Sequence, residues 1–131
     1  MLHFKFDLPC ISAGFPSPAD DYLENNLSLD ELIIKNKSAT FFVRVEGDSM
    51  INAGIHSDDI LVVDRSITPK SGHIIVAIIE GEFTVKRLVI EGKKYALKAE
   101  NPRYKNIALD EHSNFMVWGI VIAVLHNPNK I

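Results

Sequence analysis

The chain has 131 residues, about the length of one domain, and its 47% hydrophobic content is enough for a sizeable core. A net charge of −3 and the lack of a basic stripe exclude the electrostatic pattern of a direct, sequence-specific DNA binder. A single cysteine excludes an internal disulfide, and without a secretory signal or an apolar run of the roughly 18 to 20 residues that cross a bilayer, we expect a cytoplasmic protein that does not enter the membrane.

Residues 2–8 alternate between apolar and other side chains, a pattern that predicts a strand with one apolar face. Such a strand could pair with an exposed sheet edge, although a frayed terminus explains the pattern as well. In residues 11–18, small side chains are combined with Pro16 and Pro18, which hold the backbone out of helical conformation. We therefore expect a segment that can lie extended in a cleft.

Two short helices are predicted next. Ser17 is suited to cap a helix that starts at Pro18 and runs to about Glu24, and Ser28 with Glu31 repeats the capping-box pattern. The carboxylates at both helix starts match the preference of helix N-termini for negative charge. We therefore interpret them as structural rather than as a metal or acid–base cluster.

From residue 40 onward the chain is rich in β-branched and aromatic residues, which turn residues divide into short runs. This composition predicts a mainly β domain. Gly81 lies between two of the runs and indicates a hairpin. The predicted strands are residues 40–46, 60–64, 74–80, 83–90, 95–99 and 115–125.

Ser49 lies in a Gly-Asp-Ser-Met turn that follows the first of these strands and exposes one hydroxyl. A serine hydroxyl becomes a nucleophile when a neighbouring base takes its proton, and a desolvated lysine amine is one such base. Lys86 lies on a predicted strand with the uncharged Thr84 and Leu88 on the same face, so burial is expected to lower the pKa of its amine. Taken alone, the turn is also explained by hydrogen bonds from these side chains to their own backbone.

The five histidines show no spacing typical of a metal site, and neither a metal nor a cofactor is expected. A histidine base would have to lie near Ser49. The nearest histidine in the sequence, His56, belongs to a polar turn that explains its presence. Cys10 has no basic neighbour in the sequence to stabilise a thiolate, so we assign it no role.

Three motifs follow one another along the chain: Gly-Asp-Ser-Met at 47–50, Asp-Asp-Ile-Leu-Val-Val-Asp at 58–64 and Gly-Glu-Phe-Thr-Val-Lys-Arg-Leu at 81–88. Together they resemble the UmuD branch of the LexA-type self-cleaving serine peptidases, and the resemblance extends from residue 13 to residue 122. It implies a LexA-like, β-clip-like fold of small, strongly bent sheets with one or two short N-terminal helices. It also implies that Ser49 is the nucleophile and Lys86 its base, with the backbone N–H groups of Ser49 and Asp48 facing the oxyanion.

The resemblance further implies which bond is cut and for what purpose. Self-cleavage in this family falls between a small residue or cysteine and the glycine that follows, which here implies the bond from Ala13 to Gly14. An N-terminal arm, residues 1–14, would then precede a peptidase and dimerisation domain, residues 15–131. The implied role is SOS mutagenesis: a RecA filament on single-stranded DNA stimulates cleavage, and the trimmed homodimer assists a UmuC-like error-prone translesion DNA polymerase. We expect part of the dimer surface to be formed by Phe115, Val117, Ile120 and Ile122.

Three other functions would use the same residues. A LexA- or phage-repressor-type peptidase domain normally follows a DNA-binding domain, for which we expect no room in residues 1–12. A non-catalytic protein-binding module of the same fold would be expected to have lost Ser49 or Lys86, and both are present. A general peptidase that cuts other proteins would keep both.

Overall fold

The structure is a computed structural model, and it describes residues 8, 10–15 and 28–129. The chain divides into two compact units, Met1–Lys35 and Asn36–Ile131. The described part of the first unit consists of exposed residues near the N-terminus and one short helix, while the second unit contains seven strands. No helix in the described part of the chain is long and apolar enough to span a membrane.

The helix, α1 (Leu29–Ile33), begins where its capping pattern predicts. The Ser28 side chain accepts a hydrogen bond from the backbone N–H of Glu31 at 3.2 Å, and acidic residues occupy the first turn. The second predicted helix is therefore confirmed. The helix predicted at residues 17–24 lies outside the described residues, as does almost all of the strand predicted at residues 2–8.

Seven antiparallel strands form one sheet with the order β1-β2-β7-β3-β4-β5-β6. The sequence predicts six of these strands, with ends that differ from the observed ones by at most two residues, and the mainly β class is confirmed. The strands are β1 (Thr40–Arg44), β2 (Ile60–Asp64), β3 (Ile74–Ile79), β4 (Glu82–Glu91), β5 (Lys94–Lys98), β6 (Ile107–Leu109) and β7 (Phe115–Leu125).

Strand β6 is missing from the sequence-based prediction. It contains only three residues, and it pairs with β5 from Leu97 opposite Ile107 to Tyr95 opposite Leu109. A run of three residues is too short for alternation to indicate a strand. Its extended conformation is decided by the backbone groups that the edge of β5 offers for pairing.

Strand β7 lies in the middle of the sheet although it comes last in the sequence. It pairs with β2 on one side and with β3 on the other, and hairpins join β3 to β4 and β4 to β5. The first hairpin turns at Glu80 and Gly81, which both have positive φ, so the hairpin predicted at Gly81 is confirmed. As a central strand, β7 has both edges covered by neighbours, which suits its long apolar run.

Two irregularities interrupt the strand pairing along β7. Against β2 the register shifts between Val62 and Val63, and against β3 it shifts between Val76 and Ala77. Irregularities of this bulge type bend a strand and increase its local twist. Gly119 lies beside the second one, where a side chain of any size would overlap the buried Val63, so this position requires glycine.

Two apolar clusters lie on opposite faces of the sheet at β3. Val76 belongs to the first cluster and its neighbours Ile75 and Ala77 to the second, as the alternation of side chains along a strand requires. The buried members of the first cluster are Val45, Met50, Ile55, Leu61, Val63 and Val76. Those of the second are Ile75, Ala77, Leu88, Leu97 and Ile120.

The predicted dimer surface is wrong for Ile120. This side chain is 4% exposed within a single chain, because it faces the second cluster from the central strand β7. Phe115 and Val117 pack against the same cluster, and Ile122 is half-buried. Side chains that their own chain covers have little surface left for a partner.

Candidate active site

Lys86 and Ser49, which the sequence pairs as base and nucleophile, lie in contact. The Nζ atom of Lys86 is 3.0 Å from the Oγ atom of Ser49. The amine also donates to Thr84 Oγ1 and to the carbonyl oxygen of Val85, both at 3.0 Å. Because three acceptors surround the amine, its position beside the hydroxyl is well defined.

Lys86 is almost completely withdrawn from solvent, since its exposed fraction is 9% and its strand lies between β3 and β5. Burial lowers the pKa of its amine below the ordinary value, because the cation loses hydration. The predicted direction of the pKa shift is therefore confirmed. At a given pH, a larger fraction of this amine is neutral and able to accept a proton than in an exposed lysine.

The segment that carries the hydroxyl connects β1 to β2, and we call residues 45–59 the serine loop. Its two ends are joined, because the N–H of Val45 donates to the carbonyl oxygen of Asp59 at 2.9 Å. Between these ends, Met50 and Ile55 are only 2% and 1% exposed, within the first apolar cluster. Closing the ends and burying two side chains fixes the path of the loop and thereby the position of the hydroxyl.

A second loop supports the serine loop from the side. Asn101 Nδ2 donates to the carbonyl oxygen of Asp48 at 2.9 Å, and the Tyr104 hydroxyl donates to Asp48 Oδ1 at 2.5 Å. The N–H of Asn52 donates to the carbonyl oxygen of Glu100 at 2.9 Å. The hydrogen bond to the Asp48 carboxylate raises the pKa of the Tyr104 phenol. The three bonds hold the backbone on both sides of the hydroxyl.

Backbone donors beside the hydroxyl are available to a bound group. In the part of the chain that the structure describes, the N–H groups of Asp48 and Ser49 donate to no other protein atom. The preceding N–H, that of Gly47, donates to Ser57 Oγ at 3.2 Å and is therefore occupied. Two unpaired donors next to a nucleophile can together bind a carbonyl oxygen.

The hydroxyl faces a cleft of about 570 Å³ between the end of β1 and the start of β4. Its lining is mostly apolar and lies along two strand segments, an arrangement that suits an extended peptide with small side chains. The lining residues other than Ser49 include Val43, Val45, Met50, Val76, Phe83, Val85 and Trp118.

The predicted scissile bond belongs to the first compact unit, whereas the hydroxyl and the amine belong to the second. Ala13 and Gly14 are exposed, in a bend where Ser12 Oγ accepts a hydrogen bond from the N–H of Phe15 at 3.1 Å. A side chain added at Gly14 would meet no atom within 4 Å. The bond is therefore accessible.

Residues 6–122 match the model of a family described as Peptidase S24-like. The chain belongs to this family. It is 46% identical to protein SamA of Salmonella typhimurium, over 90% of this chain and 81% of that protein. It is 44% identical to protein MucA of Escherichia coli, over 88% of this chain and 80% of that protein. Its identity to protein ImpA of Escherichia coli is 41%, over 91% of this chain and 81% of that protein.

The family assignment confirms the resemblance to the UmuD branch of the LexA-type peptidases. The chain is thus a serine peptidase of the S24 family, and its relatives identify it as a UmuD-like SOS mutagenesis protein with a self-cleaving peptidase domain. A histidine base has no support from the geometry. Among the described residues, Lys86 is the only side chain hydrogen-bonded to Ser49 Oγ, and the ring of His56 instead packs on that of His126.

The sequence did not predict the hydrogen bonds from Asn101 and Tyr104 that hold the serine loop of this S24 peptidase. Asn101 and Tyr104 follow Asp48 by 53 and 56 residues; the sequence indicates a turn at Asn101-Pro102 and gives no role to Tyr104. No periodic pattern connects two loops at such a separation. Asn101 is only 8% exposed, and a buried amide needs partners, but burial is not visible in the sequence.

We expect Tyr104→Phe to slow uninduced self-cleavage on the order of tenfold, because the phenol hydroxyl that holds Asp48 next to Ser49 is lost. The cleaved fraction is followed by intact mass over time at several pH values. A positioning role lowers the rate at every pH and leaves the pH of the half-maximal rate unchanged. Tyr95→Phe is the matched control, since Tyr95 and Tyr104 are each 44% exposed. A wild-type rate in Tyr104→Phe, or an equal loss in Tyr95→Phe, would contradict this role.

Proposed function

We propose that Ser49 and Lys86 act as a serine–lysine dyad that cuts the chain's own bond between Ala13 and Gly14. The observation that most supports this proposal is the 3.0 Å contact between the hydroxyl and an amine that is only 9% exposed. An exposed lysine would be almost fully protonated near neutral pH and unable to act as a base. The desolvated amine of Lys86 is the kind of base that a serine peptidase without a histidine requires.

The hydrogen bonds of the amine suit the neutral form. A neutral amine has two N–H groups and one lone pair. If the two N–H groups donate to Thr84 Oγ1 and the Val85 carbonyl oxygen, the lone pair is left facing the proton of the Ser49 hydroxyl. The same contacts therefore hold the amine and direct its basic site at the nucleophile.

In the proposed reaction, the Lys86 amine takes the hydroxyl proton while Ser49 Oγ attacks the carbonyl carbon of Ala13. The N–H groups of Ser49 and Asp48 stabilise the oxyanion, at a typical gain of a few kcal/mol per donor. The Lys86 ammonium then gives its proton to the leaving amine of Gly14, and residues 1–13 remain esterified to the serine. Water hydrolyses the ester, with the neutral amine again as base, and regenerates the hydroxyl.

We extend the proposal to the domain organisation and the finer fold. Residues 1–14 are the arm with the cleavage site, and residues 15–131 form the peptidase and dimerisation domain. The fold is that of the LexA-like peptidases, in which the seven-stranded sheet is strongly bent in the β-clip-like manner instead of divided into small sheets. The two register shifts along β7 support strong bending, because bulges bend strands.

The proposed cellular role follows from the UmuD-like relatives. A RecA filament on single-stranded DNA stimulates cleavage in the cytoplasm, and the trimmed homodimer then assists a UmuC-like error-prone DNA polymerase. Direct sequence-specific DNA binding is not part of the proposal, since the net charge is −3. A non-catalytic binding module would not need a buried amine against a hydroxyl, which favours the enzyme over that alternative.

The pH dependence of uninduced cleavage tests the base. Only the neutral amine can accept the proton, so the rate should rise with pH and level off above the pKa of Lys86, which burial places below the ordinary 10.5. Ser49→Ala and Lys86→Ala should each abolish cleavage, and Lys86→Arg should also fail because guanidinium stays protonated. A rate that follows a pKa near 6.5 and disappears in His56→Ala would assign the base to histidine.

Lys86→Met separates loss of the base from loss of the fold. Because the pKa of the amine is lowered in the folded chain, the unfolded chain binds this proton more tightly. At pH values below the folded-state pKa, protonation of Lys86 lowers the free energy of unfolding by its full amount. This destabilisation decreases as the pH rises from the folded-state pKa to 10.5. Lys86→Met should lose cleavage yet unfold at a higher temperature than the wild type at neutral pH, as thermal unfolding monitored by circular dichroism will show.

The scissile bond is tested by the mass of the product. The processed chain should begin at Gly14, and Gly14→Val should block processing because a branched side chain would crowd the bond during attack by Ser49, even though the exposed bend itself has room for it. Cys10→Ser is the control, since Cys10 is exposed in the same described segment but is not at the bond. A product with another N-terminus, or normal processing of Gly14→Val, would refute the assignment.

The homodimer is tested by sedimentation equilibrium at micromolar concentration. If the partner contacts β7 through its exposed side chains, Met116, which is 50% exposed, is better placed than the buried Ile120. Met116→Asp should shift the equilibrium toward monomer, and Ile67→Asp, at a loop position that is 39% exposed, should leave it unchanged. A wild-type chain that sediments as a monomer would contradict the proposed homodimer.

A further inference from the structure

Two histidines and one carboxylate from distant parts of the chain meet where β2 begins and β7 ends. Ile60 pairs with Leu125 in the antiparallel ladder, so the residues just outside this pair, Asp59 and His126, become neighbours. His56 joins them through a tight turn, in which its N–H donates to Asp59 Oδ2 at 2.8 Å. One potential ligand atom from each of the three side chains lies within 4.8 Å of the other two.

The hydrogen bonds of this cluster leave one buried nitrogen unsatisfied. Asp59 is 3% exposed, and its Oδ1 lies 2.6 Å from His126 Nδ1. His56 Nδ1 is buried and has no hydrogen-bond partner, because the nearest carboxylate oxygen, Asp59 Oδ2, is 3.6 Å away. A buried polar atom without a partner is costly and calls for an explanation. A cation held between the two rings and the carboxylate would satisfy it.

We propose that His56, Asp59 and His126 bind a first-row divalent transition-metal ion, with Zn²⁺ as the best match. Two imidazoles and one carboxylate are a donor set typical of Zn²⁺, whereas Mg²⁺ and Ca²⁺ prefer oxygen ligands alone. The rings have 45% and 44% of their side-chain surface exposed, so solvent reaches the cluster and leaves an entry path and a fourth position for water.

The three side chains must move closer together to hold one ion, since their ligand atoms lie within 4.8 Å of one another. Ligand atoms around a tetrahedral Zn²⁺ lie about 3.3 Å apart, because each bond is about 2.0 to 2.1 Å long. His56 Nδ1 is 3.6 Å from Asp59 Oδ2, and His126 Nδ1 is 2.6 Å from the other oxygen, Oδ1, so the carboxylate would turn to present one oxygen to the ion. The metal would replace the proton between His126 Nδ1 and Asp59 Oδ1. Both histidine rings are half-exposed and have room to adjust.

Metal binding would connect the serine loop to the end of the central strand. His56 and Asp59 belong to the last part of that loop, directly after the buried Ile55, while His126 follows β7. A bound ion would therefore resist separation of the loop from the sheet. The site shares no residue with the proposed dyad, so metal binding can be tested independently of the cleavage chemistry.

The experiment titrates the chelator-treated full-length chain with Zn²⁺ by calorimetry and with Co²⁺ by visible absorption. We expect one ion per chain, with imidazole-type Co²⁺ bands, and weaker binding as pH falls because the histidines must be neutral. His56→Ala and His126→Ala should each weaken binding by at least about tenfold. His112→Ala is the matched control, since His112 is 85% exposed and outside the cluster, and it should bind as the wild type does.

A second measurement guards against misfolded variants. Zn²⁺ should raise the unfolding temperature of the wild type and of His112→Ala, and it should leave that of a folded His126→Ala unchanged. Cys10→Ser should keep full binding, because the exposed Cys10 is not in the cluster. No saturable binding to the wild type, or undiminished binding to folded His56→Ala and His126→Ala, would overturn the proposal.

Discussion

A lysine amine whose pKa is lowered by burial lies against a serine hydroxyl, and much of the structure around it holds this contact in place. Lys86 is 9% exposed, which lowers the pKa of its amine, and a buried amine is tolerated only where acceptors receive its N–H groups. Thr84 and Val85, on the same strand, supply two of them. A strand inside a sheet is a rigid support for such a group, so the proposed base lies on β4 and the more adaptable loop brings the hydroxyl to it.

The loop that brings the hydroxyl needs support from several directions, because residues 45–59 form little regular structure of their own. Its ends are joined at Asp59, its middle is anchored by Met50 and Ile55, and its side is held by bonds from Asn101 and Tyr104 to Asp48. The same loop ends in the cluster of two histidines and one carboxylate. The contact between Ser49 and Lys86 and the proposed metal site thus depend on the same loop, so a bound ion would stiffen that loop.

The cleft beside the hydroxyl has an aromatic wall that the sheet order creates. Trp118 of β7 packs against Phe41 of β1 and Phe83 of β4, with ring centroids 5.5 and 5.9 Å apart, and the Arg65 guanidinium lies 4.7 Å from the Trp118 ring centroid. Phe83 remains 66% exposed. An exposed aromatic at the edge of an apolar cleft is suited to cover an extended peptide whose small side chains point inward.

The sequence by itself determined the local features: six of the seven strands from β-branched runs, the start of α1 from Ser28, the turn at Gly81, and the family with its pair Ser49 and Lys86 from three motifs. It missed β6, placed Ile120 on a surface, and gave no sign that Tyr104 supports Asp48 or that His56 and His126 meet. Periodicity and capping describe the backbone within a few residues, whereas the contacts of Asp48 with Tyr104 and of Asp59 with His126 join residues 56 and 67 positions apart. Only the tertiary structure decides such neighbours: the pairing of β7 with β2 brings His126 to Asp59, because strand order is a property of the whole sheet.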